Sequence, residues 1–112
     1  MRHASRIIER LAIGPRDLPL VHATLMVVAR DGPTLDWEVV ANTIESEPVA
    51  HDRHDLVLRV LDGVTDHGRL VMATLSGTAV LVRTVDRTMV FRGDGPLDGF
   101  DPAGLINPEA GG

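Results

Sequence analysis

His51-Asp52-Arg53-His54-Asp55 is the densest run of side chains able to move protons or bind a metal in this chain. Two histidines three apart share a face on a helix, as a metal pair requires, and His67 would be at hand as a third ligand. On a strand the same two point to opposite sides. The alternative chemistry is acid–base catalysis by His51 or His54, with Asp52 or Asp55 orienting the ring. The run does not spell a full ligand set, so no metal and no other cofactor is expected. Asp94, Asp98 and Asp101 could offer oxygen to calcium, but their spacing fits no EF-hand loop, and Asp-Gly is first of all a turn signal.

A second constellation is apolar. Trp37, Met26, Met72, Met89 and Phe91 could together wall a pocket for a small apolar ligand, with methionine adapting to its shape. The plainer reading of such residues is core. His22, Glu38 and Asn42 share the polar side of their strands and are expected to face outward.

Composition removes most other chemistry. The 112 residues contain no Cys, no Tyr and no Lys, and all eleven basic residues are Arg. Thiolate nucleophiles, disulfides, cysteine metal sites, Schiff bases and P-loop lysines are excluded with them. The Arg-for-Lys usage, with abundant Ala, Gly, Val and Asp, points to a GC-rich bacterial genome. The net charge is −5, and the aromatics are Trp37, Phe91 and Phe100, so nucleic acid is not an expected partner. No apolar run is long enough for a membrane span, and Glu9 and Arg10 interrupt the N-terminal region where a secretory signal would need an apolar core. The expected setting is the cytoplasm.

The elements that must position these residues are mainly strands. Turn signals recur at Asp31-Gly32-Pro33, Asp62-Gly63, His67-Gly68, Ser76-Gly77, Asp94-Gly95 and Asp98-Gly99. Between them lie Val-, Leu- and Thr-rich runs of strand length. In 21–30, Val21, Ala23, Leu25, Val27 and Ala29 make one apolar face. In 35–44, Leu35, Trp37, Val39 and Ala41 make another. Both faces are odd-numbered, so the hairpin loop must hold an odd number of residues. A five-residue loop would set Arg30 opposite Asp36. Further strands are expected at 56–61, 70–75, 79–83 and 88–92.

Two segments read ambiguously. Ile7, Ile8, Leu11 and Ala12 have helical spacing before Gly14, which predicts a short N-terminal helix over 5–13. Residues 47–62 fit a helix opened by Ser46-Glu47-Pro48 and closed by Gly63. The β-branched, two-faced run 56–61 instead fits a strand, which is preferred. The fold class is thus mainly β: a compact antiparallel barrel or sandwich of six to seven strands, with room for a short N-terminal helix, or α+β if 47–62 is helical. One domain spans 1–107, with Leu97 and Phe100 pinning the Gly/Pro-rich tail, and 108–112 are expected to be disordered.

Two functional expectations follow. The first is a noncatalytic domain that binds a small apolar ligand or a protein partner. The second is a small barrel enzyme, such as a cyclase, isomerase or hydrolase, using the His/Asp run. A concave pocket where a histidine or a carboxylate meets apolar walls favours the enzyme, and a closed core packed solid favours partner binding. Self-association as a homodimer is also expected. The runs at 70–75 and 79–82 are apolar on both faces, and only one face can enter the core. Leu81 and Val71 are the residues whose replacement by Asp should split it.

Overall fold

The computed structural model describes residues 2–30, 34–45 and 47–106. Seven strands follow in chain order: β1 (Arg2–Ile13), β2 (Arg16–Leu18), β3 (Leu20–Ala29), β4 (Leu35–Thr43), β5 (Arg53–Val64), β6 (Leu70–Val85) and β7 (Thr88–Gly93). The only helical element among the described residues is a 3₁₀ turn, Pro102–Gly104. All strand pairings are antiparallel, in the order β2-β1-β3-β4-β7-β6-β5, and β1 also pairs with β5. The sheet thus closes into a six-stranded barrel, with β2 as a short seventh strand on β1. Closure leaves little edge exposed.

The alternation at 21–30 and 35–44 becomes the β3–β4 hairpin. Ala23, Leu25, Val27, Ala29, Trp37, Val39 and Ala41 are all buried. Val28 pairs with Asp36 and Ala29 with Leu35, so the pairing keeps the expected parity but is shifted from the Arg30–Asp36 register. The two charges still meet diagonally at 3.2 Å. Val21 departs from the pattern and is exposed, because a register shift between Leu20 and His22 turns it out of the core. Residues 31–33 of the loop lie outside the described residues, as does the expected disorder of 108–112.

The predicted N-terminal helix is not formed: 5–13 belongs to β1. A register shift between Ile8 and Arg10 on the β5 side places Ile8, Leu11 and Ile13 inward together. That bulge makes the inward spacing three, which imitates a helix. The helix over 47–62 is absent too, since 53–64 is strand β5. The turn expected at Ser76-Gly77 does not occur: β6 runs straight through it from Leu70 to Val85. Asp62-Gly63 is a bulge inside β5 rather than a turn. The β6–β7 reversal is made at Asp86, which takes a positive φ of 55°.

The barrel interior is packed with side chains. Leu11, Leu25, Leu56, Leu58, Val60, Leu75, Leu81 and Phe91 are each at most 1% exposed. Each such burial contributes about 1.5–3 kcal/mol of transfer free energy. One end of the barrel is splayed, because β5 pairs with β1 only at Ile8–Ile13, while β3 takes the N-terminal half of β1. Residues 94–106 plug this end as a strap. The strap bridges Ser76 through Asp98, buries Leu97, packs Phe100 and Leu105 on the core, and ends in a bridge between Ile106 and His3.

Candidate functional site

The five-residue polar run enters β5, and its side chains diverge. His51 is exposed, with Nε2 3.1 Å from Thr84 Oγ1 on β6. His54 turns back, with Nε2 2.8 Å from the carbonyl of Ala50. Asp52 accepts the backbone N–H of Arg53 at 2.7 Å, and Asp55 accepts the hydroxyl of Thr78 at 3.0 Å. Arg53 is ion-paired with Asp94. The four candidate catalytic residues therefore each serve a different neighbour. No group of three or more metal-ligating side chains gathers among the described residues. Asp94, Asp98 and Asp101 also separate: one pairs with Arg53, one bridges Ser76, and one caps the 3₁₀ turn by accepting Ala103 N–H.

The five apolar candidates fall into two groups. Trp37, Met89 and Phe91 are buried in the filled interior. Met26 is exposed on the outside of β3, and Met72 is half-buried on β6. Of the five, only Met26 and Trp37 border a common concavity, which is open at the surface. Trp37 closes the splayed end of the barrel, where its Nε1–H donates to the carbonyl of Gly95 at 3.0 Å. The ring occupies the space above two neighbouring strands, and that space exists because both residues there are glycine. A Cβ on Gly93 would fall 2.3 Å from the ring, and one on Gly77 would fall 2.7 Å from it.

The feature that escapes a reading of the sequence lies on the outer wall. The registers place Ile7 beside Thr24, Thr24 beside Val40, Val40 beside Val90, and Val90 beside the bulge at Val82 and Arg83. One row across five strands is therefore apolar but for a threonine and an arginine. Ile7, Val40 and Val82 in it are exposed, as is Met26 in the adjacent row. The signal is present in pairs such as Val39-Val40, where apolar residues occupy both parities. His22, Glu38 and Asn42 border this wall from outside the barrel, as expected.

Beside the row is an open concavity of about 330 Å³ lined by Met26, Val28, Arg30, Asp36, Glu38 and Arg92 among others. Its charges are matched within the chain: Arg30 with Asp36 at 3.2 Å and Arg92 with Glu38 at 3.7 Å. A second concavity of similar size, on the β1–β5–β6 wall, is rimmed by Arg10, Asp17 and Arg59. There the hydrogen bonds from Arg10, at 2.9 and 3.2 Å, and then its positive charge hold the Asp17 carboxyl below the usual aspartate range. Neither concavity is lined by a histidine; the first does set two carboxylates, Asp36 and Glu38, beside apolar Met26, Val28 and Trp37, each carboxylate paired with an arginine. Among the described residues this arrangement offers a partly apolar contact surface whose charges are neutralised within the chain.

No protein-family model, curated protein or solved structure matches the chain.

Proposed function

We propose that this protein is a noncatalytic binding module whose partner is another protein, docked on the outer wall along Ile7, Val40, Val82 and Met26. The observation that carries the reading is the filled interior. With Leu, Val and Phe side chains occupying the barrel, its interior is taken up by the chain itself, which supports a site on the outer surface. The apolar side chains left over stand together outside, where a partner would remove them from water. The charged rim of Arg30–Asp36 and Arg92–Glu38 supplies register rather than affinity. The setting is the cytoplasm, and the working unit is a homodimer, since β6 retains apolar positions that one chain does not cover. No helix among the described residues is long and apolar enough to cross a membrane.

The test is comparative capture from a lysate of the source cells, using the wild type and the Val40→Asp/Val82→Asp variant as baits. A protein retained in stoichiometric amount by the first and lost from the second, and then shown to bind with purified components, is the expected result. Equal capture by both baits would overturn the wall as the site. A small apolar molecule retained in the purified protein by native mass spectrometry would overturn the reading as a whole.

A further inference from the structure

We infer that two copies of this chain join through the N-terminal half of β6, edge to edge, to make one antiparallel sheet across a two-fold axis near Val71. The inference rests on the dimer reading above and is independent of the partner wall.

β6 pairs with β5 along Leu70–Val80, but with β7 only from Ala79 onward. Its other edge is therefore open over its first half. The strap marks which residues face that edge: Ser76 N–H and C=O both bond Asp98, and the carbonyl of Thr78 accepts Asp94 N–H. Backbone direction alternates, so Leu70, Met72 and Thr74 face the same way. Gly99 sits against the Thr74 carbonyl, where a Cβ would be 2.6 Å away, so the strap takes up the edge down to that residue. Leu70 and Met72 remain, with no backbone partner on that side among the described residues.

This stretch lacks the usual protection of an open edge. From Leu70 to Val82 there is no charge and no proline. Leu70, Val71 and the adjacent Val64 are 65%, 39% and 61% exposed. An antiparallel copy set with Leu70 against Met72 in both directions satisfies all four backbone groups and places Val71 against Val71. That register maps onto itself under a two-fold, as an isologous contact demands.

Charge favours the same occupant. Arg69 makes no ion pair among the described residues, and neither do Asp98 and Asp101 on the strap. In the paired register Arg69 of each copy comes opposite Ala73 of the other. It shares the strand parity of Ala73, which packs against the core. Each unpaired arginine thus meets the acidic strap of the second copy, twice per dimer.

The experiment is light scattering on the full chain at micromolar concentration, with far-UV circular dichroism as the control for folding. The wild type is expected at twice its chain mass of 12.1 kDa. Leu70→Lys/Met72→Lys leaves the β5 ladder intact and should weaken association about a hundredfold or more, as like charges meet across the axis. Arg69→Asp should weaken it several-fold, and Arg69→Asp/Asp101→Arg should restore it. A monomeric wild type would overturn both the dimer and its seam. A wild-type dimer unaffected by the two lysines would overturn the seam alone. A dimer split instead by Val40→Asp/Val82→Asp would overturn the seam too and move the interface to the outer wall.

Discussion

Trp37 rests on Gly93, and the fit leaves no room for a methyl group between them. The two residues lie on the paired strands β4 and β7, so the tryptophan is held by backbone on one side and by the strap on the other. Gly93→Ala should push the ring out and break its hydrogen bond to Gly95. The expected cost is about 1–3 kcal/mol, read as a lower urea midpoint. Because Trp37 is the sole tryptophan, a red shift of native fluorescence should accompany the loss. An unchanged midpoint and spectrum would refute this packing.

The two faces of β6 should respond very differently to the same truncation. Leu81, expected from sequence to support a dimer patch, is 1% exposed and belongs to the core, whereas its neighbour Val82 is 49% exposed. Leu81→Ala should cost about 2–5 kcal/mol. Val82→Ala should stay within about 0.5 kcal/mol. Chemical denaturation of both variants checks the order, and similar costs would contradict the register at the β6 bulge.

The strap should be separable from the barrel. Leu97→Asp places an unpaired charge at a site that is 7% exposed. The strap should release, the Trp37–Gly95 bond should be lost, and the tryptophan should become accessible to acrylamide. Far-UV circular dichroism should keep its strand character, because the ladders of the barrel run between strands and the strap adds only the isolated bridges at Ser76 and His3. Loss of the β signal along with the quenching change would show that the strap is integral to the barrel.

Asp17 gives a pH dependence of known sign. Its carboxyl is held below the ordinary range first by the hydrogen bonds from Arg10 and then by that charge. A carboxylate with a depressed folded-state pKa stabilises the protein above its unfolded pKa, and the contribution is lost as pH falls through the folded value. The thermal midpoint of the wild type should exceed that of Asp17→Asn by a small margin at neutral pH. The margin should vanish in acid below the usual aspartate range and shrink in high salt, since both side chains are exposed. A margin that grows in acid would reverse the assignment.

The hairpin of β3 and β4 is readable because each strand has one wet and one dry side, and alternation records that directly. The N-terminal strand is not, because its bulge at Glu9 converts a period of two into a local step of three. Ser76-Gly77 and Asp62-Gly63 carry turn chemistry without turns. At Gly77 the absence of a side chain makes room for Trp37, a contact between residues far apart in sequence. The histidine run reads as a site because its members are neighbours along the chain. Whether neighbours converge depends on backbone direction, and here His51, His54 and Asp55 are turned to Thr84, Ala50 and Thr78 respectively. The outer apolar row is dispersed over five strands and becomes visible only with the pairing registers.

The bridge between His3 and Ile106 joins residues separated by nearly the whole described chain. A contact of that sequence separation forms cheaply only after the intervening strands have brought its two ends together. The hairpins β3–β4, β5–β6 and β6–β7 close short loops and can form early, whereas the Ile106 end of the strap has no partner strand until β1 has joined the barrel. That end of the strap should therefore dock late in folding and release early in unfolding. The amides of His3 and Ile106 should exchange with solvent well before those of Val39 or Leu58, through an opening smaller than global unfolding.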